Sequence, residues 1–353
     1  MTSSKSSTLT MTQLAKQIGV SRNVVSAVIN NRSEKLGIST KTVEHVKAHI
    51  EKSGYVKSKF ATALHGKTEN KIVAIMTCGP VMRYPHLVKA MDYLMEHINA
   101  DCGHVEILAI EPDKITQGLK ELVSIETRKL IWIHASAPEY EISNVQKIMP
   151  LLKRMQKVVV YNFDFASKSW EKEYLDNGIH LVGADRAGCY DQVAKLFSDA
   201  GHTRIAMDEI YIDHPQHLGP NIPNLVAAFE NKGFDIFGLK DPRYEDDPKV
   251  LTEHLIHLYQ NQQVRCAFIR NDQRAGEVCS RLQSAGYRVP EDIAIIGFGD
   301  HALSGWLNPA LTTFAFPIEQ MCQKTIELLK DDTPQTAKRS YFNNTLILRK
   351  SHG

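Results

Sequence analysis

Short apolar runs alternate with longer amphipathic segments from residue 71 to the end of the chain. The runs lie at 72–76, 130–133, 158–161, 205–207, 266–269 and 293–296. Each has the composition of a buried strand, and the segments between them are long enough for helices. This alternation predicts an α/β body of two Rossmann-like lobes, each built on a parallel sheet. A cleft at their strand ends would be the expected place for a small ligand.

The first 56 residues follow a helical periodicity instead. Thr10 and Gln13 have the spacing of a capping box, which predicts that a helix begins there with apolar side chains at 14, 15 and 18. Gly19 can end that helix in a left-handed conformation, and Ser21 can cap the next one. The pattern is therefore helix, short turn, helix.

The second helix has an apolar stripe formed by Val24, Val25, Val28 and Ile29. The residues expected on its exposed side are Arg22, Asn23, Ser26, Ala27 and Asn30. Arginine can bridge two acceptors of guanine and asparagine can pair with adenine, so this side predicts contact with DNA bases.

A third helix completes a small all-α head of three helices. Ser39 is expected to cap it, and its inward side chains lie at 43, 46 and 50. His45 and His49 lie four residues apart on this helix, which is the spacing of two metal ligands. No third ligand accompanies them, so we expect a solvated helix face and no metal site.

Charge is distributed unevenly along the chain. Residues 1–70 contain 11 Lys and Arg against 4 Asp and Glu, whereas residues 71–353 contain 31 against 36. A basic head on a mildly acidic body is typical of a module that binds a polyanion.

Several classes of protein are disfavoured. The six cysteines are scattered without a C-x-x-C pair, which argues against a zinc knuckle and a disulfide framework. No apolar run approaches the roughly 20 residues of a membrane span, and the first ten residues lack a signal-peptide core, so we expect a cytoplasmic protein without membrane contact. Gly297 and Gly299 form a lone G-x-G, and no P-loop or G-x-S-x-G occurs. Neither a cofactor nor enzymatic activity is expected.

Specific segments are similar to the LacI/GalR family of repressors. In the head and the stretch after it they are 10–21 (TMTQLAKQIGVS), 25–30 (VSAVIN), 38–43 (ISTKTV), 54–55 (GY) and 61–67 (ATALHGK). Those that resemble the periplasmic-binding-protein-like core of the family are 182–188 (VGADRAG), 200–206 (AGHTRIA), 285–293 (AGYRVPEDI) and 309–313 (PALTT).

The resemblance implies a disordered tail at 1–9, a helix-turn-helix DNA-binding domain at 10–56, a hinge at 57–69 and a two-lobed effector-binding and dimerisation domain at 70–353. The implied function is a repressor that binds pseudo-palindromic, double-stranded operator DNA as a homodimer and responds to a small effector. Residues 84–96 are a candidate helix near the dimer interface. In the family, the hinge wedges a leucine into the minor groove, and Leu64 occupies that position here. Taken by itself, Leu64 could instead be an apolar residue of a helix packed in the protein.

The residues expected to contact DNA are Thr10, Ser21, Arg22, Asn23, Ser26, Ala27, Asn30, Ser39, Thr42, Lys59 and Leu64. Two regions depart from the family pattern. Lys57 and Ser58 replace the usual Pro-Asn of the hinge, and Ala27 stands where many members have an arginine that reads bases. The operator should therefore differ from the commonest one.

The effector should also be unusual. Sugar-sensing relatives commonly hold hydroxyl groups with two aspartates and an arginine, where this chain has Asn162, Asn221 and Gly299. Without those charges we expect a carbohydrate-derived ligand other than a simple hexose, such as an oligosaccharide fragment or a sugar phosphate. The residues expected to contact it are Tyr84, His134, Asn162, Arg186, Asn221, Tyr244, Asn271 and Asp272.

Alternatives remain open at two levels. Asn271 and Asp272 could instead cap the helix that follows them. The whole protein could be a DNA-binding regulator whose body only dimerises and binds no ligand, or an enzyme with a DNA-binding head.

Overall fold

The computed structural model describes residues 9–55, 72–79, 81–99, 104–134, 145–162, 168–211, 222–240, 247–331 and 336–353. The chain divides into two compact units. The first comprises 1–163, 168–182 and 322–340, and the second comprises 164–167, 183–321 and 341–353.

The head belongs to the first unit and contains α1 (Met11–Ile18), α2 (Arg22–Ile29) and α3 (Thr40–Ser53). The Thr10 hydroxyl accepts the Gln13 N–H while the Gln13 side chain accepts the Thr10 N–H, so the predicted capping box is confirmed. Gly19 has a left-handed φ of 77°, and Ser21 and Ser39 cap α2 and α3 as predicted. The residues buried in its small core are Leu14, Ala15, Ile18, Val25, Val28, Val46 and Tyr55.

A six-stranded sheet forms the centre of the first unit. Its strands are β1 (Ile72–Cys78), β2 (His104–Ile110), β3 (Lys129–His134), β4 (Lys157–Tyr161), β5 (His180–Asp185) and β11 (Arg339–Asn343), in the order β11-β5-β4-β3-β1-β2. The pairs from β5 to β2 are parallel. Every residue of β1 is buried, which explains its continuous apolar sequence.

Helices follow these strands in the crossover positions that a parallel sheet requires. They are α4 (Pro85–Asn99), α5 (Ile115–Ser124), α6 (Val145–Leu152) and α7 (Lys168–Asp176), with most of α12 (Ile318–Lys330) also in this unit.

The second unit is built on a parallel sheet of four strands in the order β7-β6-β8-β9. These strands are β6 (Arg204–Tyr211), β7 (Asp235–Lys240), β8 (Cys266–Phe268) and β9 (Ala294–Ile296). The short β10 (Thr313–Ala315) and β12 (Thr345–Ile347) form an antiparallel pair. The helices are α8 (Ala187–Asp199), α9 (Ile222–Glu230), α10 (Pro248–Gln262) and α11 (Asp272–Ser284).

Successive residues of the central strands enter two different apolar clusters. Cys266 and Phe268 pack into one, and Ala267 and Ile269 pack into the other. The sheet is therefore covered on both faces, as its apolar sequence predicts. The chain runs from β6 to β7 on one side and returns to β8 on the other, so the topological switch point of this sheet lies between β6 and β8.

A buried histidine begins β5. His180 is 2% exposed, and its Nδ1 accepts the Lys338 N–H at 3.1 Å. Burial lowers the pKa of His180 from 6.5 to about 4, with Lys157 and Lys338 acting in the same direction. The folded protein therefore holds this imidazole neutral, whereas the unfolded chain protonates it below pH 6.5. The resulting stabilisation is complete above that pH and is lost as the pH falls towards 4.

We expect His180→Asn to reduce the loss of stability in acid. An asparagine oxygen can still accept the Lys338 N–H, but it takes up no proton. Wild-type protein should lose up to about 3 kcal/mol more unfolding free energy than the variant between pH 7 and pH 4. Urea unfolding across this range measures the difference. The exposed His257→Asn is the control, and a His180 variant with the same pH profile as wild type would contradict the assignment.

Candidate nucleic-acid interface and effector site

The amino end of α2 presents polar side chains to solvent. Ser21, Arg22 and Asn23 are exposed there, and the Ser21 hydroxyl accepts the Val24 N–H at 3.3 Å. Helix-turn-helix proteins place the first turn of their second helix against base edges in the major groove. Arg22 and Asn23 lie in the first turn of α2.

The other end of α2 is held by a local amide contact. The Asn30 Nδ2 donates to the Ser26 carbonyl at 2.7 Å and lies 3.3 Å from its hydroxyl. Asn30 is exposed and Ser26 is half-buried. The structure therefore brings these two predicted residues together and fixes the orientation of the Asn30 amide.

The prediction that Ala27 belongs to the exposed side of α2 is wrong. Ala27 is only 4% exposed. The chain turns back after α2, where the Arg32 N–H donates to the Ala27 carbonyl at 2.8 Å. The helical periodicity places Ala27 correctly on the helix, but it carries no information about the turn that follows.

Hydroxyl residues predicted to contact DNA also act in helix capping. Thr10 caps α1, and the Ser39 hydroxyl accepts the Thr42 N–H at 3.2 Å and lies 2.8 Å from the Thr42 hydroxyl. Capped helix N-termini are favourable places for phosphate oxygens because their N–H groups point outward. Lys59 and Leu64 lie outside the described residues.

Predicted effector residues of the first unit lie at or beside the carboxyl ends of strands. His134 ends β3 and Asn162 follows β4; the register Ile133↔Tyr161 places these two positions at the same edge. Asn162 has a left-handed φ of 62°, which asparagine tolerates better than most residues. Tyr84 precedes α4 and is 36% exposed.

Predicted effector residues of the second unit have partners within their own chain. Arg186 occupies the N-cap position of α8, and its guanidinium lies 5.9 Å from the centre of the Phe316 ring. Asn271 is the N-cap of α11, where its side-chain oxygen accepts the Arg274 N–H at 3.0 Å. The capping role of Asn271 is therefore confirmed. Asn221 and Tyr244 lie outside the described residues.

Asp272 neither caps α11 nor points to solvent. It is 5% exposed, and one carboxylate oxygen accepts the Thr313 hydroxyl at 2.6 Å. The other accepts the His301 N–H at 2.9 Å and the Ser304 hydroxyl at 2.8 Å. Burial raises its pKa, and these hydrogen bonds oppose the rise. One oxygen thus holds the first residue of β10 and the other holds the loop after β9, which sequence spacing could not show.

A buried ion pair at the switch point was not predicted. The Asp208 carboxylate, 2% exposed, accepts the Arg270 backbone N–H at 2.9 Å and an Arg274 guanidinium N–H at 2.6 Å. It joins β6 to the segment between β8 and α11. The available signal was a charged residue placed directly after the apolar run 205–207.

Metal sites and membrane spans are absent from the part of the chain that the structure describes. Those residues contain no group of three or more His, Cys, Asp and Glu side chains placed to hold a metal ion. No helix among them is both long and apolar enough to span a membrane.

Known proteins resemble both parts of the chain. A family model described as a periplasmic binding protein-like domain matches residues 194–352. The ribose operon repressor of Escherichia coli (strain K12) is 26% identical over 342 residues, covering 91% of this chain and 92% of that protein. The transcriptional regulator GalR of the same strain is 24% identical over 358 residues, covering 97% and 95%. These relatives are transcriptional regulators rather than enzymes.

Solved structures share the fold along the whole chain. A complex of the transcriptional regulator CelR with cellobiose has a TM-score of 0.62 at 18% identity, covering 97% of this chain and 99% of that one. A lac repressor dimer bound to operator and the anti-inducer ONPF has a TM-score of 0.57 at 16% identity, covering 97% and 98%. With its three-helix head, its periplasmic-binding-protein-like body and regulators that match it from end to end, this chain is similar to the LacI/GalR family of transcriptional regulators along nearly its whole length.

Proposed function

We propose that the protein is a dimeric repressor that binds pseudo-palindromic operator DNA and is controlled by a carbohydrate-derived effector. The observation that carries the proposal is the capped, exposed amino end of α2 with Arg22 and Asn23 in its first turn. The ribose operon repressor supports the repressor role, because its similarity covers the head as well as the body. The protein would act in the cytoplasm, where the DNA is, without catalysing a reaction.

The proposed division of labour follows the regions predicted from the sequence. Residues 10–56 bind DNA, 57–69 form the hinge and 70–353 dimerise and sense the ligand. One eight-residue recognition helix reads too few bases to specify a genomic site, so two heads are required. The candidate helix near the dimer interface is α4, which follows Met82, an apolar side chain that is 77% exposed.

The proposed effector site lacks the charged side chains with which sugar-sensing relatives commonly bind sugar hydroxyl groups. Gly299 has no side chain, and Asp272 uses both carboxylate oxygens for hydrogen bonds within its own chain. Neutral groups such as Asn162 and aromatic groups such as Tyr84 suit the faces and hydroxyls of a larger sugar. The guanidinium of Arg186 would suit a sugar phosphate. The CelR structure with cellobiose shows that this fold can hold a disaccharide.

We expect Arg22→Ala to relax base specificity at one position of each half-site. Loss of a bidentate contact with guanine should reduce discrimination there by about 1–3 kcal/mol. An operator duplex is first selected from a random pool by the wild-type protein. Affinities for that duplex and for versions of it with one base changed are then compared by competition fluorescence anisotropy. The control is Lys16→Ala, which removes an exposed cation of α1 and should affect binding to all duplexes equally.

The dimer model has a separate test. A monomer that protects a single half-site would contradict it.

We expect Leu64→Ser to weaken operator binding without destabilising the protein. A residue that becomes buried only between base pairs contributes nothing to the folded state before DNA arrives. The melting temperature should stay within about 1 °C of wild type, while operator affinity and DNA bending decrease. Calorimetry and a gel bending assay measure both effects. A large drop in melting temperature would place Leu64 in a protein core and remove the hinge assignment.

We expect disaccharide fragments or sugar phosphates to stabilise the full chain in a differential melting screen, and free glucose or galactose to leave it unchanged. A ligand at a hundred times its Kd adds about 2.7 kcal/mol of stability. Asn271→Asp should weaken the effect, because it keeps the capping oxygen but removes two N–H donors. Asp247→Asn makes the reverse exchange of aspartate and asparagine at the N-cap of α10. It serves as the control, because Asp247 is not among the predicted effector residues.

Three outcomes would contradict this effector prediction. Tight binding of free galactose or glucose would contradict the predicted class of ligand, and binding of any sugar that Asn271→Asp leaves undisturbed would show that the site residues are wrong. No stabilisation by any carbohydrate derivative would favour a body that only dimerises.

A further inference from the structure

One edge of the first unit's sheet carries a cluster of cations at the amino ends of its strands. Arg128 immediately precedes β3, and Lys157 is the first residue of β4. Lys153 and Arg154 lie in the turn between α6 and β4. The Lys157 N–H donates to the Arg128 carbonyl at 3.1 Å, which ties the two loops together. These four residues are called the basic edge.

The basic edge is available to an external anion. Arg128 and Lys153 are exposed, while Arg154 and Lys157 are half-buried. Within the described ranges, none of the four lies within ion-pair distance of a carboxylate, although cations elsewhere on the surface are paired, as in Arg288 with Asp292. Residues 71–353 nevertheless carry an excess of acidic residues. Because the body as a whole is acidic, a local cluster of such cations indicates a surface that binds anions.

Neighbouring groups reinforce the positive potential. His180 begins β5, the strand next to β4 in the sheet. Burial lowers the pKa of His180 most, and Lys157, Lys338 and Lys324 lower it further against the single opposing effect of Asp331. Lysines thus outweigh carboxylates around His180.

The basic edge lies where the body meets the head. The Arg128 N–H donates at 3.3 Å to the carbonyl of Ile72, the first residue of β1, so the cluster adjoins the point at which the chain enters the sheet. On the other side, Gly54 at the end of α3 lies directly against the Pro150 carbonyl of α6, which leads into Lys153 and Arg154.

A tyrosine connects the basic edge with the recognition helix. Tyr55 is buried at the end of the head, and burial is the main cause of its raised pKa. The charges of Arg154 and Arg22 both act on its hydroxyl and oppose that rise. A cation of the body and the first residue of α2 therefore lie near the same side chain.

We propose that the basic edge binds phosphates of the DNA flanking the half-site read by α2, so that the body itself contributes to operator affinity. The inference rests on the proposed DNA-binding function. Its basis is the close approach of Gly54 at the end of α3 to the Pro150 carbonyl just before Lys153 and Arg154, together with cations that have no carboxylate partner among the described residues. Such interactions are independent of sequence and add to the affinity for any duplex long enough to reach them.

The test compares two triple variants of the full-length protein in which the same amount of charge is removed. Arg128→Gln, Lys153→Gln and Lys157→Gln together remove three cations of the basic edge and leave Arg154 beside Tyr55. Lys195→Gln, Lys232→Gln and Lys249→Gln together remove three exposed cations of the second unit as the matched control. The probe is a duplex of about 40 base pairs, selected by the wild-type protein from a random pool and long enough to extend beyond two half-sites. Affinity is measured as a function of salt concentration.

We expect the basic-edge variant to show a shallower dependence of log K on log salt, by about 0.9 for each phosphate that the variant no longer neutralises. At about 0.1 M salt, its affinity should be roughly tenfold lower for each such phosphate, with unchanged base preference. Trimming the duplex to the two half-sites should weaken binding of the wild-type protein more than binding of the variant, which keeps only Arg154 of the four cations.

The outcomes separate the inference from the function on which it rests. A basic-edge variant that matches the control triple in slope and affinity overturns the inference while the repressor function stands. If the wild-type protein selects no duplex at all, both are overturned. A variant with an altered base preference also contradicts the inference, because phosphates carry no direct sequence information.

Discussion

Parallel pairing of the strands is the constraint on which the rest of the body depends. It sends every amino end to one edge of a sheet and every carboxyl end to the opposite edge. In the first unit, the amino edge receives the chain at Ile72 and carries Arg128 and Lys157, whereas the carboxyl edge carries His134 and Asn162. Five or six strand residues span about 16–20 Å, so side chains at the two edges do not meet. A change at the carboxyl edge can therefore reach the amino edge only through the strands and the helices that connect them, or by movement of the unit as a whole.

In the second unit, two buried carboxylates hold separate segments of the chain together. Asp208 joins β6 to the segment after β8, and Asp272 joins the start of α11 to the loop after β9. Removing a charge from water is costly unless hydrogen bonds compensate it, and each carboxylate accepts at least two. Asn271 lies beside Asp272 in a segment that these bonds hold in place. A ligand would find such a segment already ordered, which lowers the entropic cost of binding.

The helices of the head could be predicted from sequence because their signals are local. Thr10, Gln13, Gly19, Ser21 and Ser39 all act within four residues of their own position. The strands predicted from apolar runs were confirmed for the same reason, since a strand buried on both faces needs a continuous apolar sequence.

Features that depend on distant partners could not be predicted in this way. Asp272 was placed correctly at the start of a helix, yet its partners come from a loop and from strand β10, which no local pattern connects to it. Local patterns therefore indicated the elements, and long-range hydrogen bonds decided which polar residues remain available to a ligand.

A single glycine, Gly54, affects both the end of α3 and the contact between the head and α6. Gly54 ends α3 with a left-handed φ of 63°, a conformation that costs other residues free energy. A Cβ atom at this position would also collide with the Pro150 carbonyl of α6. The next residue, Tyr55, is buried in the head core and is the last described residue before β1. The turn at Gly54 therefore does two things at once: it closes α3 and permits close contact with α6.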